Sequence, residues 1–331
     1  MNIKVTERLL NVFIFFGIIA LLFVVGYPQY KESLPVKVRI GVDRSFASMP
    51  FYVAEMDTSH QYFVIEKINP EFIETSGDPL QGLKEGRYDI VAVPWYSLLM
   101  SPGINGDTVK ACASLEFKSS RSLDAIIIPP ESKIRGLKDL KGKRLGYLAP
   151  DEYLISLILP KLAEDKIIKI ATVILRPEEL ATAFEENKVD ALFVVDPYRG
   201  YMLYLNNQVL FEGIVAAYVS STLPYYAIVM RKNYVKKESR IAAIRLRNAI
   251  DATLGYINRN PEIVKRMAIK KNAWPNDDLL SLTIRVPEYQ RLAEVNLRSV
   301  EAFQTEMVRR GIGTCGIKPS EFLFEKTDFV R

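Results

Sequence analysis

Hydrophobic and polar positions divide the chain into two materials. Leu9 to Gly26 is apolar apart from Asn11, with Lys4 and Arg8 ahead of it and Tyr27-Pro28 behind. From Val36 the pattern becomes alternation, with Val36, Val38, Ile40 and Val42 sharing one face as in a half-buried strand. Ser48 and Pro50 then suit the start of a helix over Phe51–Asp57. Strands are predicted at Tyr62–Ile68, near Glu71–Glu74 and at Tyr88–Val93. Between the last two, Asp78-Pro79 starts a helix that Gly86 ends. From about Thr222 the pattern reads as helices, at roughly 238–259, 261–271, 276–283 and 287–310.

Part of this pattern occurs twice. Arg39-Ile40-Gly41-Val42 is echoed by Arg144-Leu145-Gly146-Tyr147, and Gly86-Arg87-Tyr88-Asp89-Ile90 by Asn187-Lys188-Val189-Asp190-Ala191. Each copy ends a helix on Gly or Asn, which tolerate a left-handed cap, and passes at once into a buried-type strand. Alternating strands and helices predict α/β lobes with parallel-rich sheets, and ligands of such sheets sit beyond the strands' carboxyl ends. The chain is expected to cross between lobes near 117–124 and again near 214–222. That defines one lobe from 36–120 with 220–331 and a second from 121–219, joined by a two-strand hinge.

The apolar run reaches the lower limit of the ~20 residues that a membrane helix needs. Basic residues ahead of it favour export of the remainder of the chain. The bulky Leu22-Phe23-Val24-Val25 does not suit a cleavage site, so an uncleaved anchor over 9–26 is expected, with a cytoplasmic 1–8 and a linker 27–35. A cleaved signal is the competing reading. The binding lobes would then face the extracytoplasmic side of the cell membrane. Cys112 reads as a buried strand thiol, and its pairing with Cys315 stays open.

Several chemistries are hard to build here. The 331 residues hold one histidine, His60, so an HExxH metal site is excluded and a His-based triad has little to draw on. There is no GxxxxGK[ST] loop, and no cofactor is expected. The net charge of +5 comes without a basic run, which argues against nucleic acid as a partner. What remains is a set of aromatic and acidic residues at strand ends: Phe46, Ser48, Trp95, Tyr96, Glu152, Tyr153, Asp196 and Tyr198. Apolar walls with a few placed polar groups make a small-molecule pocket. Arg44, Arg121, Arg176 and Arg199 are candidate anion clamps, though a solvated arginine is the plainer reading of each.

Several strings carry a family resemblance: Pro50-Phe51-Tyr52-Val53-Ala54, Gly86-Arg87-Tyr88-Asp89-Ile90, Leu137-Lys138-Asp139-Leu140-Lys141-Gly142-Lys143, Val189-Asp190-Ala191 with Asp196-Pro197, and Ile257-Asn258-Arg259-Asn260-Pro261. Over roughly 36–310 the chain resembles the NMT1/THI5-like solute-binding proteins for nitrate, sulfonates, bicarbonate and thiamine precursors. The resemblance implies a type II periplasmic-binding-protein fold and delivery of a small molecule to an ABC permease with a cytoplasmic ATPase, without catalysis. A sensory module docking on a membrane receptor or kinase, and a pyrimidine-synthesis enzyme of the same fold, are the alternatives. One departure concerns the ligand. Where the family often has Gly-Ser to hold an anion, this chain has Ala149-Pro150-Asp151-Glu152-Tyr153, which favours an uncharged or cationic ligand.

Overall fold

The computed structural model describes residues 3–328 apart from 28–29, 31–32, 57–60, 119, 121, 167, 236–239, 314–316 and 326–327, with the side chains of 3–10 and 240 also left out. His60, Cys315 and Arg121 therefore lie outside the described residues.

Among the described residues, eleven strands form two mixed sheets. In chain order they are β1 (Val36–Val42), β2 (Ile68–Glu74), β3 (Ile90–Pro94), β4 (Val109–Lys118), β5 (Asp124–Ile128), β6 (Arg144–Leu148), β7 (Ala171–Leu175), β8 (Ala191–Val195), β9 (Gln208–Glu212), β10 (Thr222–Arg231) and β11 (Glu288–Arg291). The first sheet runs β11-β4-β10-β3-β1-β2 and the second β7-β6-β8-β5-β9. Each is parallel on one side, where β1 pairs β2 and β3, and β6 pairs β7 and β8. Each then gains an antiparallel neighbour, β10 in the first and β5 in the second, supplied directly after the chain has crossed from the other sheet. The crossings fall between Lys118 and Asp124 and between Glu212 and Thr222.

The repeated strings take the same positions in both sheets. Gly41 pairs with Val91, and Gly146 with Leu192. A β-carbon would come within 2.7 Å of Val91 at Gly41 and within 2.7 Å of Leu192 at Gly146, so side-chain packing over the strand requires glycine in both. Gly86 (φ +76°) and Asn187 (φ +52°) both turn the chain through the left-handed region before the next strand. Asp89 accepts hydrogen bonds from the Arg39 backbone N–H and guanidinium, and Asp190 accepts the same pair from Arg144.

Two expectations are corrected, and a third, the membrane-spanning anchor, is left without support. Tyr62–Ile68 is not a strand: Tyr62–Ile65 is a short helix between the left-handed residues Gln61 and Lys67, and β2 starts at Ile68. A short apolar run carries too little periodicity to separate the two forms. The region after Thr222 is not wholly helical, because β10 lies buried inside the first sheet and β11 closes its edge. The N-terminal α-helix spans Ile3–Leu21 and passes into a π-helical stretch at Leu22–Gly26. Among the described residues no helix is long and apolar enough to cross a membrane. The α-helical register gives way at Leu22, before the expected 9–26 span is complete.

Cys112 lies buried in β4, its thiol donating to the Ile228 carbonyl, and burial pushes its pKa up to about 12. It is a packed, unreactive thiol.

Candidate functional site

The loops that leave β1 and β6 lie close enough for Asp43 to act on Asp151 electrostatically. After β1, Asp43 accepts from the Ser45 backbone N–H at 2.9 Å and from its hydroxyl at 2.7 Å, and the Asp43 N–H donates to Ser48 Oγ at 2.9 Å. Ser48 thus shapes the loop. Phe46 is buried beside it, and its carbonyl accepts from the Tyr289 hydroxyl at 2.8 Å. After β6, Asp151 is 4% exposed, and its Oδ1 accepts from the Tyr225 hydroxyl at 3.0 Å. Tyr225 belongs to β10, so this bond joins the two sheets.

A second bridge is aromatic. Tyr96, on the helix Trp95–Met100 that follows β3, stacks on Tyr153 of the helix Glu152–Lys166, with centroids 5.2 Å apart and 20° between planes. The Tyr153 hydroxyl is buried and has no partner among the described residues. Tyr198, on the helix Tyr198–Tyr204 after β8, is also buried and packs edge-on against Trp274 at 5.6 Å. Glu152 next door is exposed to solvent.

Two of the candidates serve packing as well. Trp95 is fully buried, with its indole N–H donating to Ser114 Oγ at 2.9 Å. Asp196 precedes a cis Asp196–Pro197 bond; its Oδ1 accepts from the Gly200 N–H at 3.1 Å, securing the first turn of the helix, and Oδ2 lies 3.5 Å from Arg199. Arg199 also pairs with Glu212, which in turn holds Arg285. The structure therefore brings Phe46, Ser48, Tyr96, Tyr153 and Tyr198 around the strand ends, while Trp95 and Asp196 stand deeper and Glu152 turns outward.

Sequence reading missed Tyr225, Tyr226 and Trp274. The two tyrosines follow Pro224, and the β10–β4 register slips between Pro224 and Tyr226, leaving Tyr225 as the extra residue of a bulge. Bulges re-aim side chains next to sites, and a proline inside an apolar run was the available signal. Trp274 stacks flat on Tyr201 at 4.3 Å, a contact between the C-terminal helices and the second sheet's helix that sequence distance conceals.

Burial dominates the electrostatics. It raises the Asp151 pKa to about 7, against the lowering hydrogen bond from Tyr225, and the carboxylates Asp124 and Asp43 push the same way as burial. Asp196 is raised by burial to about 7 despite Arg199, and Asp124 to about 6. Burial also raises Tyr153, Tyr225 and Tyr226 well above the usual phenol range. No group of three or more metal-binding side chains occurs among the described residues.

The two sheets hold each other at the rims as well. Lys161 pairs with Glu306 at 3.1 Å, and Arg310 donates to the carbonyls of Leu157 and Tyr218, both at 3.0 Å. On another face, Thr283 donates to the Gly200 carbonyl at 2.8 Å. A cavity of about 410 Å³ lies elsewhere, behind the hinge, lined by Glu116, Lys118, Leu123, Asn258 and Glu288. Both Glu116 oxygens there already accept hydrogen bonds, from Gln290 and Asn296. The strand-end cleft is the better site: it gathers side chains from both sheets, and the Tyr153 hydroxyl there is unsatisfied.

Two mixed sheets exchanged by two crossings, with side chains of both meeting at the strand ends, define the periplasmic-binding-protein fold. Residues 45–263 match the family described as NMT1/THI5 like, and the chain belongs to that family. No curated protein sequence matches it. Among solved structures it is similar to the alkanesulfonate-binding protein SsuA of Xanthomonas axonopodis pv. citri bound to MOPS, with 16% identity, 88% of this chain and 99% of that chain covered, and a TM-score of 0.64. It is likewise similar to the periplasmic nitrate-binding protein NrtA of Synechocystis PCC 6803, at 13% identity, 87% and 84% coverage and a TM-score of 0.62. The desulfurization enzyme DSZB has the same fold, at 11% identity, 88% and 97% coverage and a TM-score of 0.62.

Proposed function

We propose that the chain is an extracytoplasmic solute-binding protein that closes on a small molecule and presents it to an ABC permease with a cytoplasmic ATPase. The observation that carries this reading is the pair of bridges Tyr225–Asp151 and Tyr96–Tyr153, which join the two lobes across the strand-end cleft. A ligand that touches both lobes favours the closed form over the open one, and that difference drives closure. The lobes are 36–120 with 220–331 and 121–219. The contacting set is Phe46, Ser48, Tyr96, Tyr153 and Tyr198, to which we add Asp151 and Tyr225; Trp95 and Asp196 stand behind it and Glu152 faces solvent. The family membership and the sulfonate- and nitrate-binding neighbours support the role. DSZB is a reminder that fold alone does not decide between binding and catalysis.

We also propose that the N-terminal segment tethers the protein to the membrane. Its helical backbone continues through the π-helical stretch to Gly26, and Phe13, Phe15, Phe16, Leu22 and Phe23 are exposed along it. Resistance of the protein to alkaline extraction from membranes tests the tether. The binding role is tested by melting the full chain with sulfonates, nitrate, bicarbonate, flavins, polyamines and thiamine precursors. A ligand at ~100 times its Kd adds ~2.7 kcal/mol of stability. A shift with no member of any class would remove the support for a solute-binding role.

A further inference from the structure

Building on the solute-binding reading, we infer that the cleft takes a flat ligand carrying a protonated or N–H-bearing nitrogen, held between Asp151 of one lobe and Asp43 of the other, with the Tyr96–Tyr153 pair as its stacking surface. Both aspartates sit in the loop that leaves the central strand of a parallel half-sheet, Asp43 after β1 and Asp151 after β6. The internal repeat therefore sets one carboxylate on each side of the cleft.

Among the described residues, the surroundings of Asp151 lack an offsetting cation. The groups that act on it are the Tyr225 hydroxyl and the carboxylates Asp124 and Asp43, and its neighbour Tyr153 faces Tyr226 as well. Tyr198 lies close enough to feel Asp43, Asp151 and Arg44. Among the described residues, the candidate anion clamps are already engaged: Arg44 with Glu178 at 3.5 Å, Arg176 with Glu179 at 3.3 Å, and Arg199 with Asp196 and Glu212. A buried carboxyl without a counter-charge beside an unpartnered buried hydroxyl is an incomplete arrangement. A cationic or N–H donor completes both: it gives Asp151 a charge partner and offers the Tyr153 oxygen a donor. Aromatic faces add cation–π attraction for the same ligand class.

Two probes with one ring and opposite charge test this: benzamidine and benzenesulfonate, titrated calorimetrically into the full chain between about pH 5.5 and 8.5. Benzamidine is expected to bind. Its affinity should fall by up to about tenfold for each pH unit below about 7, because Asp151 must lose its proton to receive the cation. Asp151→Asn should weaken benzamidine at least about tenfold and flatten that pH dependence, the removed charge being the partner. Tyr153→Phe, which leaves the fold without a lost hydrogen bond, should weaken it less. Binding of benzenesulfonate alone, strengthening as pH falls, would overturn the inference and leave the solute-binding reading intact, since Asp151 would then be a protonated donor to an anion. Absence of binding by either probe would also overturn it. The wider ligand screen decides separately whether the solute-binding reading survives.

Discussion

Replacing Asp89 by alanine strands three donors at once: the Arg39 backbone N–H, the Arg39 guanidinium and that of Arg231. The Asp89 side chain is 7% exposed, and the Arg231 Nε is already without a partner. Burial alone would raise the Asp89 pKa, but the hydrogen bonds from Arg39 and Arg231 outweigh it and hold the group below its ordinary value. Removing one partner of a buried ion pair costs about 3–5 kcal/mol, and rehydration of Arg39, 37% exposed, brings the expectation to about 3 kcal/mol. The second copy of the motif supplies the control. Asp190 is 30% exposed and Arg144 43% exposed, and Arg144 keeps a hydrogen bond to the Asn187 carbonyl. Asp190→Ala should therefore cost only about 1 kcal/mol. Equilibrium urea unfolding of the two variants, followed by circular dichroism, should show the difference as a shift in midpoint at constant slope. Equal losses, within about 0.5 kcal/mol, would refute the claim that burial and the third partner, not the motif itself, set its strength.

Three further outcomes are expected. In the ligand-free protein, Asp151 and Asp196 near 7 and Asp124 near 6 keep their protons in the folded state at pH values where the unfolded chain has lost them, so stability should fall as pH rises from about 4 to about 7. Asp151→Asn should remove one group's share of that slope, at most about 1.4 kcal/mol per pH unit, and urea midpoints across this range check it. A β-carbon at Gly200 would lie 2.8 Å from Ile284 Cα and 2.9 Å from its nitrogen, so Gly200→Ala should cost about 1–3 kcal/mol and loosen the lobes' contact, read by melting temperature and by X-ray scattering. Trp95→Ala should cost about 3–5 kcal/mol by cavity formation and loss of the Ser114 bond; a melting curve like that of the parent would show that the ring is not part of the core.

Local chemistry carried much of the architecture into the sequence. The Arg-x-Gly strand and the Gly/Asn-x-x-Asp approach to the next strand were readable twice because each is a short-range device: a glycine that lets side chains cross the strand, a left-handed cap, and an aspartate three residues on. The Asp78-Pro79 helix start was legible for the same reason, and Asp78 indeed accepts from the Leu80 N–H. Strand ends as the place to look followed from sheet chemistry, and they led to Phe46, Ser48, Tyr96, Tyr153 and Tyr198. What stayed hidden depends on residues far apart in the chain. The place of β10 in the first sheet, the bulge that turns Tyr225 onto Asp151 across 74 positions, and the stacking of Trp274 on Tyr201 all arise when the crossings bring separate segments together. The depth of Trp95 and Asp196, and the rise of Asp151 toward neutrality, are likewise properties of an environment. Periodicity and capping act over a few residues and can be read in one dimension; burial, counter-charge and cross-sheet contact are sums over neighbours that the folded chain alone supplies.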